Sequence, residues 1–384
     1  MFKFDLLRFV EFKDGWKSKT LGEISEIYGR IGFRGYTVKD LVSEGEGALT
    51  LGGKHINSNN RLDLSEPDYL SWDKYEESPE IKVSKGDIIT SQRGTLGRSA
   101  YIFNDIGKAT INPSMVLLKK FKEDGIFLYY TLIHQNFIKE VYRRSSSTAV
   151  PMISQSELKK ININFPSLNE QKKIANFLSN VDEKLELLNQ KLNQTTQFKK
   201  YLMQNIFSQK LRFDFDDEWK QYKLKDLLTV KSSSISINQL EDNTGEYPLY
   251  GASGFLKNID FCEMETDYIS IVKDGSGVGN LSYHEKNSSI VNTSQYLLPK
   301  KDFNIHFLYY QLQTLNLLKY VNGSSIPHIY FKDYCIEKVT VPSLPEQQKI
   351  GKLFVDTDKT IENIDNCIQV TQEFKKGLLQ QMFV

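Results

Sequence analysis

The chain has 384 residues, of which 40% are hydrophobic and 25% are charged, a composition typical of a soluble globular protein with two or three domains. No apolar run approaches the ~18 residues that a membrane span needs, and Asp5, Arg8 and Glu11 interrupt the N-terminal stretch, so we expect a cytoplasmic protein without a signal peptide. The three cysteines form no CxxC pair, so neither a zinc site nor a disulfide framework is predicted. The net charge of +1 is unusually low for a nucleic-acid-binding protein.

In the globular parts of the chain, short strand-like runs alternate with clusters of Gly, Asn and Ser. The clearest predicted strands are GDIITS (Gly86–Ser91), SMVLLKK (Ser114–Lys120) and DYISIV (Asp267–Val272). One helix is predicted in each half, at residues 126–144 and at residues 305–321. Each globular part is therefore expected to be a mixed α and β domain with many loops.

The chain is an internal duplication. Residues 165–208 and 341–384 are identical at 16 of 44 aligned positions, beginning with FPSLNEQKKI and VPSLPEQQKI. Upstream matches are LRFVEFKDGW at 7–16 with LRFDFDDEW at 211–219, FLYY at 127–130 and 307–310, and AVPMI at 149–153 with SIPHI at 325–329. Each copy is thus a globular region followed by one repeated segment, and two copies are too few for a solenoid.

The repeated segment is predicted to be a long amphipathic helix. Residues 170–207 contain no Pro or Gly, and apolar residues recur every three or four positions, close to a heptad seam. Pro166 and Pro342 precede the two helices, and Ser167 and Ser343 are predicted N-caps. Such a helix is roughly 55 Å long. Its long apolar stripe favours packing against the other copy as a coiled coil over packing on its own domain. The predicted seam follows the apolar residues of both copies, which are Ile174, Phe177, Val181, Leu185, Leu188, Leu192, Phe198, Leu202, Ile206, Ile350, Leu353, Ile361, Ile364, Ile368, Phe374, Leu378 and Met382.

Motifs for catalysis are sparse. There is no HExxH motif and no P-loop, and the five histidines lack metal-ligand spacing. One pattern resembles a metal-dependent nuclease, because Asp68 is followed by Glu80 and Lys82. Acidic residues are dense there, so a solvated loop is the simpler interpretation.

Polar loops in both globular regions suit DNA contacts. Arg and Gln make bidentate contacts with base edges, while Ser, Thr and Lys suit phosphates. The loops differ between the two copies while the helices match, as expected for two readers of different sequences on one scaffold. In the first region the candidates are Arg30, Arg34, Tyr36, Gln92, Arg93, Thr95, Arg98, Arg143, Arg144 and Ser146. In the second region they are Lys231, Ser233, Tyr250, Ser253, Lys273, Ser276, Asn280, Thr293, Gln295, Ser324 and His328.

The chain resembles the specificity subunits of type I restriction-modification systems. The resemblance rests on PSLNEQKKI and PSLPEQQKI at the head of each helix, on the LRF…W opening of each half and on YGASG at 250–254. The order of variable region, helix, variable region and helix also matches, so the resemblance covers essentially the whole chain.

The resemblance implies an α+β fold with two mixed α/β target-recognition domains, at residues 1–164 and 211–340. Two conserved spacer helices, at residues 165–210 and 341–384, would pack as an antiparallel coiled coil. Each domain would read one half of a bipartite site in double-stranded DNA, and the helices would fix the gap between the halves. The rod length agrees, because roughly 55 Å spans about 16 base pairs.

The resemblance also implies partners. The chain would dock two methyltransferase subunits, which methylate adenine with S-adenosylmethionine, and two restriction subunits, which hydrolyse ATP and cut DNA. The chain itself would bind no cofactor and no metal and would not be catalytic, while ATP and Mg²⁺ would act on the partners. Because methyltransferase subunits closing around the duplex would supply positive charge, the low net charge is compatible with DNA binding. The alternatives from the residues alone are a nuclease using Asp68, Glu80 and Lys82, and a coiled-coil scaffold without a nucleic-acid role.

Overall fold

A computed structural model describes residues 7–30, 32–146, 149–240, 243–323 and 325–383. The chain divides into two compact units, one formed by Met1–Leu187 with Ile368–Val384 and the other by Leu188–Cys367. Each unit therefore contains one globular region together with the start of one long helix and the end of the other. None of the helices in the described ranges is long and apolar enough to span a membrane.

The first globular region and the helix after it contain ten strands and six α-helices among the described residues. In chain order they are β1 (Lys17–Thr20), α1 (Leu21–Ile24), β2 (Glu26–Gly29), β3 (Leu41–Val42), β4 (Gly47–Leu51), β5 (Tyr69–Ser71), α2 (Trp72–Glu76), β6 (Ile88–Ser91), β7 (Ser99–Tyr101), β8 (Ala109–Ile111), β9 (Met115–Lys119), α3 (Gly125–Ile133), α4 (Gln135–Arg143), α5 (Gln155–Lys159), β10 (Asn162–Phe165) and α6 (Leu168–Phe207).

The second half repeats this plan with some differences. Its elements are β11 (Lys220–Lys223), α7 (Leu224–Leu227), β12 (Leu228–Ser232), β13 (Tyr247–Gly251), β14 (Gly254–Ile259), β15 (Tyr268–Val272), β16 (Leu281–His284), β17 (Ser289–Ile290), β18 (Ser294–Pro299), α8 (Ile305–Gln313), α9 (Phe331–Tyr334), β19 (Lys338–Val341) and α10 (Leu344–Met382).

The duplication is visible in the strand order. A sheet of order β2-β9-β6-β7 in the first unit corresponds to β12-β18-β15-β16 in the second, and both are antiparallel throughout. A two-stranded pair closes each globular region where it meets its helix, β1 with β10 and β11 with β19. Each half also has a further sheet containing one parallel pair, β4 with β8 and β13 with β17. The predicted α+β fold with an internal duplication is confirmed.

The strand predictions agree with β6, β9 and β15, but the prediction of one helix at residues 126–144 is wrong. That stretch forms two helices, α3 and α4, separated by His134. The backbone of His134 is extended at ψ 143°, and its Nδ1 accepts a hydrogen bond from the amide of Asn136. His134 therefore ends one helix and caps the next. In the second half, α8 ends at Gln313 and is followed by a 3-10 turn at Leu317–Tyr320.

The two long helices pack together within each unit. In the first unit, Ile174 and Leu178 near the start of α6 share a buried apolar core with Leu378 and Met382 near the end of α10. In the second unit, Leu202 and Ile206 at the end of α6 share a core with residues at the start of α10. The start of each helix thus meets the end of the other, which is an antiparallel arrangement.

Two ion pairs show the same helix register in both units. In the first unit, Lys375 of α10 lies 2.6 Å from the carboxylate of Asp182 in α6. In the second unit, Lys199 of α6 lies 2.6 Å from the carboxylate of Asp358 in α10. Asp182 is equivalent to Asp358 in the repeat, and Lys199 to Lys375, so the same pair of residues is used with the helices exchanged. The helix pairing is therefore as symmetric as the repeat itself.

Parts of the predicted seam differ from this packing. Ile174, Val181, Ile350, Ile364 and Ile368 are buried, as expected of seam residues. Leu185, Leu188, Leu192 and Ile361 are half-buried. In contrast, Phe198 is 55% exposed and Phe374 is 52% exposed, so the inclusion of these two residues in the seam was wrong. They follow the apolar spacing but lie on the outer side of their helices.

The repeated Glu-Gln pair ties each helix to its globular region. Glu170 is fully buried and forms a two-pronged ion pair with Arg8, with Nε to Oε1 at 2.6 Å and Nη2 to Oε2 at 2.7 Å. Gln171 donates to the Pro166 carbonyl at 2.9 Å and accepts from the Asp124 amide just before α3 at 3.0 Å. The motif is therefore a structural joint between an N-terminal segment, a helix and a domain.

The second unit contains the equivalent joint. Arg212 contacts the buried Glu346 at 3.0 and 2.9 Å. Gln347 donates to the Pro342 carbonyl at 2.9 Å and accepts from the Asn304 amide at 2.8 Å. The N-cap predictions at the two helix starts had different outcomes. The Ser167 hydroxyl accepts from the Glu170 amide, whereas the buried Ser343 hydroxyl has no hydrogen-bond partner among the described residues.

Substitution of Glu170 by Ala is expected to loosen the start of α6, because it leaves the Arg8 guanidinium without its buried partner. We expect a loss of about 2 kcal/mol in the opening free energy of this joint. Hydrogen exchange of residues 168–180, followed by mass spectrometry, measures it. Glu183 is exposed on the same helix, so Glu183→Ala is the matched control and should leave exchange unchanged. Equal effects of the two substitutions would contradict a structural role for the ion pair.

Candidate nucleic-acid interface

Three loops meet at one end of the β2-β9-β6-β7 sheet in the first unit. The loop after β6 is held to the segment before α5, since the Gly94 amide donates to the Pro151 carbonyl and the Ile153 amide to the Gln92 carbonyl, both at 3.0 Å. The Gln92 amide also donates to the Ser114 carbonyl at 2.9 Å, just before β9. Backbone hydrogen bonds therefore fix the three loops as one surface.

The second unit has the same three-loop arrangement. The Gly275 amide donates to the Pro327 carbonyl and the Ile329 amide to the Lys273 carbonyl, both at 2.8 Å. The Lys273 amide donates to the Thr293 carbonyl at 2.8 Å, just before β18. These positions correspond to those of the first unit, so the duplication preserves the loop framework while the side chains change. We call these two surfaces the first and second loop clamps, residues 92–94, 114 and 151–153, and residues 273–275, 293 and 327–329.

Arg93 is the candidate in the first clamp with the most accessible charge. Its side chain is exposed, and it has no side-chain hydrogen bond or ion pair with the residues that the structure describes. Thr95 is exposed beside it, while the Gln92 side chain donates to the Pro113 carbonyl at 3.1 Å. The Ser146 hydroxyl donates to the Met152 carbonyl at 3.2 Å, which places Ser146 next to the clamp. The structure thus brings together Gln92, Arg93, Thr95 and Ser146.

The other candidate cations of the first region are engaged within the protein. Arg30 is 6% exposed and donates to the Ile111 carbonyl and the Thr110 hydroxyl, and burial lowers the pKa of its guanidinium. Arg34 pairs with Glu80 at 3.2 Å, and Arg98 donates to the Ile56 carbonyl. These arginines connect loops of their own domain.

Tyr36 and the Arg143–Arg144 pair also have internal partners. The Tyr36 hydroxyl lies 3.1 Å from that of Thr50, and its ring lies under the Arg30 guanidinium. Arg143 and Arg144 both contact Glu140 at 2.6 Å, and these two guanidinium groups lower the pKa of Glu140 to about 2. Arg143 is still largely exposed, so it can release Glu140 for another anion.

The candidates of the second region divide in the same way. Lys273, Thr293 and His328 belong to the second clamp, and Lys273 pairs with Asp274 at 2.7 Å. Exposed candidates outside the clamp are Ser253, Ser276 and Asn280. The remaining candidates contact other parts of the protein. Lys231 donates to the Glu263 carbonyl, the hydroxyl of the buried Ser233 accepts from the Ile235 amide, the Tyr250 ring packs against His284, and Gln295 donates to the Ser232 hydroxyl. Ser324 lies outside the described residues.

The clamps include residues that were absent from the predicted site. In the first clamp these are Gly94, Ser114, Pro151, Met152 and Ile153, and in the second they are Asp274, Gly275, Pro327 and Ile329. The alignment of AVPMI with SIPHI contained the signal, since a Pro at the same place in two divergent loops marks a shared backbone conformation.

The residues of the nuclease hypothesis are spread over separate ion pairs. Asp68 pairs with Lys54 at 2.8 Å, Glu80 with Arg34, and Lys82 with Glu76. No group of three or more His, Cys, Asp or Glu that could hold a metal ion occurs among the described residues. Nothing in this arrangement favours a nuclease site.

The comparison with known proteins follows the duplication. A family profile described as "Type I restriction modification DNA specificity domain" matches residues 13–197 and again residues 216–372. The chain belongs to this type I specificity-subunit family. The resemblance seen in the helix motifs and the LRF…W openings is therefore confirmed.

Curated relatives carry the same description. A putative type I specificity subunit of Mycoplasma genitalium is 27% identical over 287 residues, which cover 71% of this chain and 74% of that protein. A putative type I restriction enzyme specificity subunit of Methanocaldococcus jannaschii is 21% identical over 96% of this chain and 91% of that protein.

Solved structures share the fold of this specificity subunit. The S subunit of a type I restriction-modification system from M. genitalium superposes with a TM-score of 0.69 over 99% of this chain and 98% of that chain, at 20% identity. A chain from a study of complex assembly and conformational transition in the type I system has a TM-score of 0.55 and 14% identity, covering 97% of this chain and 98% of that one.

Burial of a histidine makes the second recognition region sensitive to acid. His284 lies between the rings of Tyr250 and Tyr268, with centroids at 4.3 and 5.0 Å, and burial lowers its pKa to about 4. In the unfolded chain a histidine has a pKa near 6.5. Between pH 6.5 and pH 4, His284 is protonated in the unfolded chain but neutral in the folded protein. The contribution of His284 to the free energy of unfolding is therefore fully present above about pH 6.5 and is lost as the pH falls towards 4.

The expected loss between pH 7 and pH 5 is about 2 kcal/mol in the opening free energy of the β15–β16 region. Hydrogen exchange of residues 268–284 at the two pH values, corrected for intrinsic rates, measures it. His284→Phe keeps the aromatic packing and removes the titrating group, so its opening free energy should change much less between the two pH values. The same pH dependence in wild type and His284→Phe would assign the acid sensitivity to another group.

Proposed function

We propose that this chain is the DNA-recognition and assembly subunit of a type I restriction-modification complex and is not itself catalytic. Each globular region would read one half of a bipartite site in double-stranded DNA. The observation that supports this most strongly is the pair of equivalent loop clamps, which keep one backbone framework and carry different side chains. Two readers of different half-sites require that combination.

The long helices would set the gap between the half-sites. α6 has 40 residues and α10 has 39, so each is about 60 Å long if straight. A continuous helix of that length is a suitable spacer, and the ion pairs Asp182–Lys375 and Lys199–Asp358 fix its register on the other helix.

The same helices would dock the partner subunits. Phe198 and Phe374, at equivalent positions of the repeat, each expose more than half of an aromatic side chain, and the exposed Tyr201 and Val370 lie within one helical turn of them. Exposed aromatic residues are typical anchors of protein interfaces. Two equivalent anchors fit two copies of a methyltransferase subunit, which would bring S-adenosylmethionine. Two restriction subunits, which would bring ATP and Mg²⁺, would join the complete complex.

Methylation mapping tests the proposed function directly. Cells that express this chain with its cognate methyltransferase subunit should gain one bipartite methyladenine motif with a fixed gap, relative to cells without this chain. Exchange of residues 1–164 for those of another specificity subunit should change one half of the motif only. If no motif appears although the methyltransferase is active with another specificity subunit, the proposed function is wrong.

Arg93 is the residue that we expect to contribute most to the first half-site. Arg93→Ala should weaken binding of the assembled complex by about 10- to 100-fold, as expected for loss of one bidentate contact with a base. Arg93→Lys keeps the positive charge but loses the planar guanidinium that makes two hydrogen bonds to one base, so it should restore little of the lost affinity. Lys108 is exposed in the same unit, and Lys108→Ala controls for loss of charge alone. Competition binding with duplexes altered in one half-site measures the effect. If Arg93→Lys binds as tightly as the wild type, Arg93 contacts a phosphate and not a base.

A further inference from the structure

One exposed β-branched apolar residue lies directly before each loop clamp, at the same position of the repeat. Val150 is 48% exposed in the first clamp region and Ile326 is 68% exposed in the second. The two residues are equivalent in the repeat, AVPMI against SIPHI, and each directly precedes the proline that enters the clamp. One exposed apolar residue is ordinary on a protein surface, but an equivalent pair in two otherwise divergent loops is not.

The backbone around these residues is well anchored. In the first unit the Ser146 amide donates to the Met152 carbonyl at 2.9 Å, and Met152 also forms a bridge with Arg93. In the second unit Asn322 and His328 exchange two backbone hydrogen bonds at 2.9 and 2.8 Å, and His328 forms a bridge with Asp274. Val150 and Ile326 therefore each lie two residues before a position that backbone hydrogen bonds hold in place, Met152 and His328 respectively.

The chemistry of the two residues limits their freedom further. A residue before proline is restricted to extended conformations, and a β-branched side chain has few rotamers. Val150 and Ile326 would thus lose little conformational entropy when they contact a ligand. Burial of such an exposed apolar group against an apolar group of a ligand is favourable.

The neighbouring residues suit the edges of DNA bases. Arg93 is bridged to Met152, two residues after Val150, and Nδ1 of His328 lies 3.3 Å from the Ile326 carbonyl oxygen, so one hydrogen-bonding residue lies near each apolar residue. The major groove admits a two-stranded β-ribbon, and its one distinctive apolar group is the 5-methyl group of thymine. An apolar side chain on a loop that enters this groove is therefore matched to thymine.

We propose that Val150 and Ile326 are paired specificity residues, each of which contacts the 5-methyl group of a thymine in its own half-site. This inference rests on the proposed function and adds to it the chemical group that each domain reads. If each half-site carries the adenine that is methylated, each half-site contains at least one thymine, so the contact is available in both.

The test uses the assembled methyltransferase complex and duplexes that contain the motif found by methylation mapping. Each thymine of a half-site is replaced in turn by uracil, which lacks only the methyl group. In the first half-site, at least one replacement should slow methylation about three- to five-fold, the factor for burial of one methyl group. Val150→Ala should slow methylation of normal DNA by a similar factor and should be insensitive to uracil at that position.

The second half-site should behave in the same way with Ile326→Ala, and neither variant should alter the uracil response of the other half. Val10 is 89% exposed and Ile336 is 56% exposed, outside the clamps, so Val10→Ala and Ile336→Ala are matched controls that should keep the full uracil effect. The uracil response in the unaffected half shows that each variant is folded.

Two results would overturn the inference. One is a uracil effect that persists unchanged in Val150→Ala and Ile326→Ala, and the other is the absence of any uracil effect in either half-site. Both differ from failure of the proposed function, in which methylation mapping gives no bipartite motif and the wild-type complex methylates no defined duplex.

Discussion

The buried ion pair at the head of each long helix is the contact on which the rest of the structure depends. Glu170 and Glu346 are fully buried, and each is neutralised by an arginine from the segment that opens its own half of the chain. A buried carboxylate without that partner is strongly unfavourable, so helix, opening segment and domain have to assemble together. The adjacent glutamines extend the joint to α3 and α8, because Gln171 and Gln347 accept the amides that precede those helices. The orientation of each loop clamp on its helix is thereby set by a few hydrogen bonds.

Much of this arrangement could be predicted from the sequence, because the duplication is a strong signal. The two long helices, their mutual packing and the α+β regions follow from apolar spacing and from matching motifs. The role of Glu170 could not be predicted, since its partner Arg8 lies 162 residues away. The helix break at His134 was missed because a histidine N-cap has no strong sequence signature. Apolar spacing does not distinguish a packed helix face from an exposed one, so Phe198 and Phe374 follow the predicted seam although they are exposed.

Individual recognition residues were harder to predict than the site. Arg30, Arg93 and Arg98 look alike in sequence, yet Arg30 and Arg98 donate to carbonyls of their own domain while Arg93 points its charge to the surface. The difference lies in burial, which an isolated arginine in a loop does not reveal. The clamps themselves are more predictable than their side chains, because both copies need the same backbone hydrogen bonds. Comparison of the two halves within one chain thus identifies the framework positions and separates them from the positions at which the side chains differ.

The division of the chain into units has a consequence for biosynthesis. The second unit is one continuous stretch, Leu188–Cys367, whereas the first is completed by Ile368–Val384. Leu378, Met382 and Phe383 belong to the core of the first unit, where the ring of Phe383 lies 5.2 Å from that of Phe127. Domains generally fold as they leave the ribosome, N-terminal first. Here the N-terminal unit cannot complete its core until the whole second unit has emerged, so it is made first and finished last. A nascent chain that stalls within α10 would release a folded second domain attached to a first domain with an open apolar core, the form that chaperones and proteases recognise.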